Sequence, residues 1–307
     1  MKRWQADAAI IGGGALWGLS YVFTRWGLDN SPPAAFLLGR FGLALVIALA
    51  LFGRCLKTAS RRTVRRGLIL GALMGGGYIL QNYSINFTDV SRAAFITAMT
   101  LPATPLASFL LFREKLTRYN LAGVVLALAG LYLLLDPQFA GLNRGDFLAF
   151  LSVPLWALYM VYMNTFTEGE TSPDFTWQLL ILQFLGTVPL ALLTVIIFES
   201  GWILAPLHPD LGWAVTPNGQ FWAGLIFCAL GASLATVFIQ TACQKYTTPV
   251  QAMICFQSEP VTALAAAVII LGETVSLSAG LGAAIIISGV LTSEIGGWRE
   301  AGGNRRE

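Results

Sequence analysis

Charge is what this sequence most lacks. Asp, Glu, Lys and Arg make up 11% of its 307 residues, against roughly 25% in an ordinary soluble domain. A soluble chain of this length would need far more polar side chains to cover its wet surface. Histidine is almost missing. The only one, His208, falls in a loop, which excludes a histidine-based metal site and a Ser-His-Asp triad. The four cysteines, Cys55, Cys228, Cys243 and Cys255, show no CxxC spacing and sit mostly in apolar runs, as inert buried thiols do. Long polar stretches are missing as well. The two longer connections between apolar blocks, 54–66 and 199–220, are too short to hold a soluble domain.

Apolar residues fill the space. They are 56% of the chain and come in long blocks, not in the short alternating runs of a barrel. A span needs about 20 such residues, because the hydrocarbon core is roughly 30 Å thick and a helix rises about 1.5 Å per residue. The blocks predict ten transmembrane helices. Five lie near 7–28, 33–53, 67–87, 92–112 and 119–135, and five near 146–165, 174–198, 221–241, 248–271 and 276–296. Helices are required, since lipid offers no partner to a bare backbone N–H or C=O. The expected fold class is an all-α polytopic membrane protein. Lys2 and Arg3 before an apolar run resemble the start of a signal peptide. Asp7 interrupts that run, however, and Trp17, Arg25 and Trp26 stand where a cleavage site would need small residues. The first helix is therefore expected to be retained.

Basic residues set the orientation. With the N-terminus inside, fifteen of the 19 Lys and Arg fall on inner segments, among them Arg61, Arg62, Arg65 and Arg66. Only Arg92 and Arg144 fall on outer loops, while Arg25 and Arg40 lie within spans. This asymmetry predicts an N-in, C-in protein. The Arg61–Arg66 cluster is read as membrane anchoring, with no nucleic-acid partner.

The chain also repeats. A shift of 159 residues brings Phe87 onto Tyr246, Glu114 onto Glu273, Gly123 onto Gly282 and Gly130 onto Gly289. A shift of 139 brings Leu16-Trp17 onto Leu155-Trp156. The expected organisation is a first five-helix repeat over 1–137 and a second over 138–307, joined in one membrane domain. Five is odd, so the second half must cross the membrane in the opposite sense. Inverted repeats of this kind are typical of secondary transporters, with the site near the midplane between the halves.

These residues carry a family likeness. The first helix has Ala15-Leu16-Trp17-Gly18 with Ser20. Each half closes on an acidic residue before a Gly-spaced helix: Arg113-Glu114-Lys115 ahead of Gly123 and Gly130, and Gly272-Glu273-Thr274 ahead of Gly282 and Gly289. The chain resembles the drug/metabolite transporter superfamily in its EamA branch, and within that branch the bacterial aromatic amino acid exporters. The resemblance implies efflux of small metabolites across the bacterial inner membrane by alternating access. Expected partners are an amino acid cargo and the lipid bilayer. No cofactor and no enzymatic activity are expected, since the inward loops hold neither an Asp-rich motif nor a histidine. The helix faces leave the oligomeric state open.

Candidate substrate contacts follow from polar and aromatic residues inside spans. Trp17 and Trp156 sit at the centres of the first and sixth, with Tyr159 close by. They either pack the core or wall a cavity suited to a flat apolar or cationic ligand. Tyr78 and Asn82 share one face of the third span, as Thr236 and Gln240 do on the eighth. Gln257 adjoins Glu259 in the ninth. Such amides and hydroxyls either join helices or line a polar path. Glu259 stands alone in the middle of its span, where a charge costs roughly 2.5–3.5 kcal/mol on insertion scales. It is a proton-coupling or substrate-amine site, or else half of a structural ion pair with Arg40. Pro102 and Pro105 in the fourth span stand near the aligned place of Pro260 in the ninth, predicting matched helix breaks. The leading expectation is export of aromatic and other apolar amino acids. Export of another metabolite or a drug-like cation is the nearer alternative, and a membrane-embedded enzyme the distant one.

Overall fold

A computed structural model describes residues 1–87, 96–97, 99–113, 117–135, 143–170, 172, 174–200, 215, 217–271 and 277–303. Arg92, Glu114, Glu273 and His208, each singled out above, lie outside these. Among the described residues there is no strand. The first half comprises α1 (Arg3–Leu28), α2 (Pro33–Phe52), α3 (Arg61–Phe87), α4 (Thr100–Phe112) and α5 (Arg118–Leu135). The second begins with α6 (Arg144–Thr167) and α7 (Phe175–Phe198). A composite rod follows: α8 (Gly219–Phe227), a π-helical stretch (Cys228–Ala235) and α9 (Thr236–Cys243). The chain ends with α10 (Pro249–Cys255), α11 (Ser258–Leu271) and α12 (Leu277–Gly303).

Among the described residues six helical stretches are long and apolar enough to cross a bilayer, and three shorter ones, Thr100–Phe112, Arg118–Leu133 and Gly280–Thr292, are apolar too. The chain is thus an all-α, multi-pass membrane protein. Its outer flank is apolar: Ile269 is 81% exposed and Leu277 82%. Water would penalise such a surface and lipid does not.

Small residues let the helices touch. A Cβ on Gly18 of α1 would collide with Thr262 Oγ1 and the Glu259 carbonyl of α11. Ser258 Oγ donates across the same crossing to the Ile11 carbonyl at 2.8 Å. Gly71 of α3 lies against the Gln183 carbonyl and Gly186 of α7, and Thr187 Oγ1 donates to the Gly71 carbonyl at 3.0 Å. Between α5 and α12 the approach is reciprocal. A Cβ on Gly130 would stand 2.6 Å from the Gly282 carbonyl, and one on Gly289 would stand 3.0 Å from that of Gly123. Helix contacts also recur with the halves exchanged. α1 packs on α11 and α6 on α4, α3 packs on α6 and α1 on α8, and α3 packs on α7 and α2 on the π-helical stretch.

The prolines act differently from the expectation. Pro102 and Pro260 each occupy the third position of a helix, in α4 and α11. Proline in a first turn removes no intrahelical bond, because those N–H groups have no partner there. The break precedes it. In the second half α10 stops at Cys255, and Glu259 N–H bonds back to the Phe256 carbonyl at 2.9 Å. Pro105 alone of the three is inside its helix.

Ion pairs and caps gather at the two ends of the bundle. At one end Arg66 Nη1 donates to Glu170 Oε1 at 2.8 Å and to the Phe166 carbonyl at 3.0 Å, and Lys245 Nζ donates to the Glu170 carbonyl at 2.8 Å. At the other end the buried Glu199 carboxylate accepts the Ala34 and Ala35 backbone N–H groups, both at 2.9 Å, and the Tyr83 hydroxyl at 2.7 Å. Glu199, which follows α7, thereby caps the N-terminus of α2 across the halves, where a carboxylate also meets the positive end of the helix dipole.

Candidate functional site

The predicted site residues divide into two groups by how their polar atoms are held. The first group is a closed amide network. Tyr159 OH donates to Gln183 Oε1 at 2.8 Å and lies 3.4 Å from Gln240 Oε1. Gln183 Nε2 donates to Thr241 Oγ1 at 3.2 Å, and Gln240 Nε2 to Gln244 Oε1 at 3.0 Å. Gln244 Nε2 donates to the Met160 carbonyl at 2.6 Å. All these side chains are buried, and the network ties α6 and α7 to α9 and the residues after it. Thr236 Oγ1 donates to the Gly231 carbonyl at 3.0 Å and Gln257 Nε2 to the Met253 carbonyl at 3.2 Å. Satisfied amides of this kind join helices.

The second group is aromatic and charged. Trp17 of α1 stacks on Phe256 at 4.8 Å. Its indole N–H donates at 2.7 Å to the carbonyl of Ala232, within the π-helical stretch. One turn along α1, Tyr21 OH donates to Glu259 Oε1 at 2.9 Å. Arg40 of α2 donates through Nε to Ser233 Oγ at 2.7 Å. Its guanidinium carbon lies 5.0 Å from the Tyr78 ring centre and 5.3 Å from that of Phe41. Tyr78 meets Trp156 edge to face at 4.8 Å, and Trp156 meets Tyr159 at 5.9 Å. Gly77 makes room for the Trp156 indole, since a Cβ there would stand 2.8 Å from it. The Trp156 Nε1 is buried and has no hydrogen-bond partner among the described residues. Asn82, also buried, makes no hydrogen bond to another described residue.

Charge alone suggested that Arg40 and Glu259 would pair. They do not: among the described residues the ion pairs are Arg3–Asp7, Arg25–Asp29 and Arg66–Glu170. Glu259 stands in the first turn of α11, where the helix dipole favours a carboxylate, and Tyr21 supplies its hydrogen bond. Pro102 and Pro105 lie apart from the cluster. They line a groove with Leu106, Phe109, Leu121 and Val124 on the apolar flank. Among the described residues no group of three or more His, Cys, Asp or Glu side chains could hold a metal ion.

The sequence reading passed over Tyr21, Ser233, Phe256 and Gln183. Tyr21 follows Trp17 by four residues and so shares its face, a signal that was available. Gln183 interrupts the highly apolar α7, which is also a signal. Ser233 and Phe256 have none, because their places depend on the π-helical stretch and on the turn before α11.

Known proteins share this architecture. The family described as the EamA-like transporter family matches residues 4–136 and 143–293. A protein named probable amino-acid metabolite efflux pump from Escherichia coli (strain K12) is 24% identical over 299 residues, covering 93% of this chain and 94% of its own. Its namesake in Salmonella typhimurium is also 24% identical, over 92% of each chain. An uncharacterized transporter from Archaeoglobus fulgidus is 24% identical over 95% of this chain and 86% of its own. One solved crystal structure superposes with a TM-score of 0.77 at 18% identity, covering 97% of this chain and 99% of that one. This last likeness concerns the fold.

Proposed function

The chain belongs to the EamA-like transporter family, and on that premise we propose that it is a secondary transporter that exports amino acids, aromatic and other apolar ones, by alternating access. The observation that carries the cargo assignment is the cluster between the halves. Three large rings, Trp17, Tyr78 and Trp156, adjoin a buried cation, Arg40, and a carboxylate, Glu259. An amino acid with an apolar side chain presents those same three features: a ring or alkyl group, a carboxylate and an ammonium. Two of the relatives are named as amino-acid metabolite efflux pumps, which agrees with this reading.

The proposed frame is ten spans, N-in and C-in, in two inverted halves of five meeting near 137/138. The reciprocal glycine contacts support inversion. Gly123 aligns with Gly282 and Gly130 with Gly289, yet Gly130 faces Gly282 and Gly289 faces Gly123. Equivalent helices therefore run antiparallel, as a two-fold axis in the membrane plane requires. The break in the family match between 136 and 143 agrees with the boundary. The Arg66, Lys245 and Glu170 end is assigned to the cytoplasm by its basic residues, and the membrane to the bacterial inner membrane. The amide network of Tyr159, Gln183, Gln240 and Gln244 is assigned to helix joining and not to cargo. No catalytic role and no cofactor are assigned.

Export of a cation is the second reading. It rests on Glu259, whose carboxylate has a neutral phenol and no basic group as its hydrogen-bond partner. Proteoliposomes decide between the two. Uptake of radiolabelled phenylalanine and threonine is compared with that of a cationic dye. Saturable phenylalanine flux supports the amino acid reading. Dye flux without flux of either amino acid refutes it.

A further inference from the structure

Arg40 is a buried cation without a carboxylate beside it. The residue is 4% exposed, and among the described residues the groups it touches are neutral: the Ser233 hydroxyl, the ring of Phe41, and Tyr78, whose ring lies under the guanidinium and whose hydroxyl also interacts with it. Its Nη2 is buried and has no hydrogen-bond partner among the described residues. Trp156, on the same Tyr78 ring, brings a second buried N–H without a partner. Two unsatisfied donors thus adjoin one aromatic side chain. Each is costly as it stands, on the order of 1–3 kcal/mol for a buried group and more for a charged one. Glu259 lies within electrostatic reach of Arg40, yet its hydrogen bond comes from Tyr21 and among the described residues it makes no ion pair. A direct Arg–Glu pair would offset both costs. The fold instead ties each charge to a neutral partner on a different half, Arg40 on α2 and Glu259 on α11.

We propose that Arg40 and Glu259 are the two poles of a zwitterion site, Arg40 Nη2 and the Trp156 N–H taking the cargo carboxylate and Glu259 taking its ammonium. The cargo supplies the two counter-charges that the protein withholds from itself. The planar guanidinium suits a carboxylate, which accepts along its fork. Ser233 is a positioning residue: by holding Nε it turns the other edge of the fork toward the rings. The ligand class is a free α-amino acid with an apolar or aromatic side chain, ionised at both ends. The assignment rests on the amino acid reading above and names its recognition chemistry.

Equilibrium binding to the purified full-length protein tests it. Three probes differ by one charge each: phenylalanine, phenylalaninamide without the carboxylate, and 3-phenylpropionate without the amine. The wild type binds phenylalanine roughly a hundredfold tighter than either analogue, as a buried charged contact allows. Arg40→Gln brings phenylalanine and the amide to equal affinity. Glu259→Gln does the same for phenylalanine and phenylpropionate. Arg40→Lys keeps the charge but loses the fork. It serves where Arg40→Gln does not fold, with an intermediate preference for phenylalanine over the amide. If phenylalanine binds and both Arg40 variants keep the wild-type preference, the site assignment fails and the amino acid reading stands. If the wild type binds none of the three probes but does bind a cationic dye, the amino acid reading falls and the assignment falls with it.

Discussion

Trp17 and Trp156 align in the two halves, yet their indoles are held in different ways. The Trp17 N–H ends on the Ala232 carbonyl, and its ring stacks on Phe256. The Trp156 N–H has no partner among the described residues, and its ring stands perpendicular to those of Tyr78 and Tyr159. The difference comes from the rods that face them. Trp17 faces a π-helical stretch, whose wider turns change the regular carbonyl pattern. Trp156 lies over Gly77 in α3, a regular α-helix, and among the described residues its N–H reaches no carbonyl there. The Trp17 indole is thus anchored through its N–H and leaves only its ring to the cluster. The Trp156 indole keeps an unused donor between the halves, beside the Tyr78 ring that also carries Arg40.

This contrast predicts unequal responses to substitution. The largest effect is expected from Trp156→Ala, which removes both ring and donor. Phenylalanine flux per folded protein in proteoliposomes falls roughly a hundredfold. Losing the ring that packs on Tyr78 and Tyr159 also destabilises by on the order of 3–5 kcal/mol, so flux is normalised to the folded fraction. Glu259→Gln comes next. Flux falls about tenfold or loses its response to an imposed pH gradient, measured with and without that gradient. Arg40 is the charged group within reach of Glu259, and Tyr21 is its neutral hydrogen-bond partner. Flux and pH response both unchanged would assign Glu259 to packing. Trp156→Phe keeps a ring and loses only the donor, so phenylalanine binding weakens by about tenfold, the worth of one buried hydrogen bond. The smallest effect on transport belongs to Trp17→Phe. It leaves the Ala232 carbonyl without its partner, so thermal unfolding registers a loss of about 1–2 kcal/mol while phenylalanine affinity holds. Equal losses of affinity in the two Trp→Phe variants would erase the contrast.

Much of the frame was legible because it rests on composition. Long apolar blocks and few charges leave little but membrane helices, and the paired glycines at 123, 130, 282 and 289 mark where α5 and α12 touch. Arg40, Tyr78, Trp156 and Glu259 stood out because a charge or a large polar ring in an apolar run needs a reason. Their partners were not legible. Opposite charge left an Arg40–Glu259 pair open beside a coupling or substrate role for Glu259; the choice is a matter of distance, and distance depends on how α2 and α11 are set. The π-helical stretch has no single-residue signature, so neither the Trp17 contact nor the Ser233 contact could be foreseen. Pro102 and Pro260 are expected from the sequence to break their helices, and in the structure each stands just after a restart. Their positions depend on where helices restart, which hydropathy blocks do not resolve.

The central claim is that amino acids leave the cell past Trp156, on the unsatisfied side of the site. Release of radiolabelled phenylalanine from preloaded proteoliposomes tests it most directly, with wild type, Trp17→Phe and Trp156→Ala measured side by side. The account predicts fast release by wild type, nearly the same rate for Trp17→Phe, and the rate of protein-free vesicles for Trp156→Ala. Wild-type release no faster than protein-free vesicles, or Trp156→Ala as fast as wild type, would contradict it.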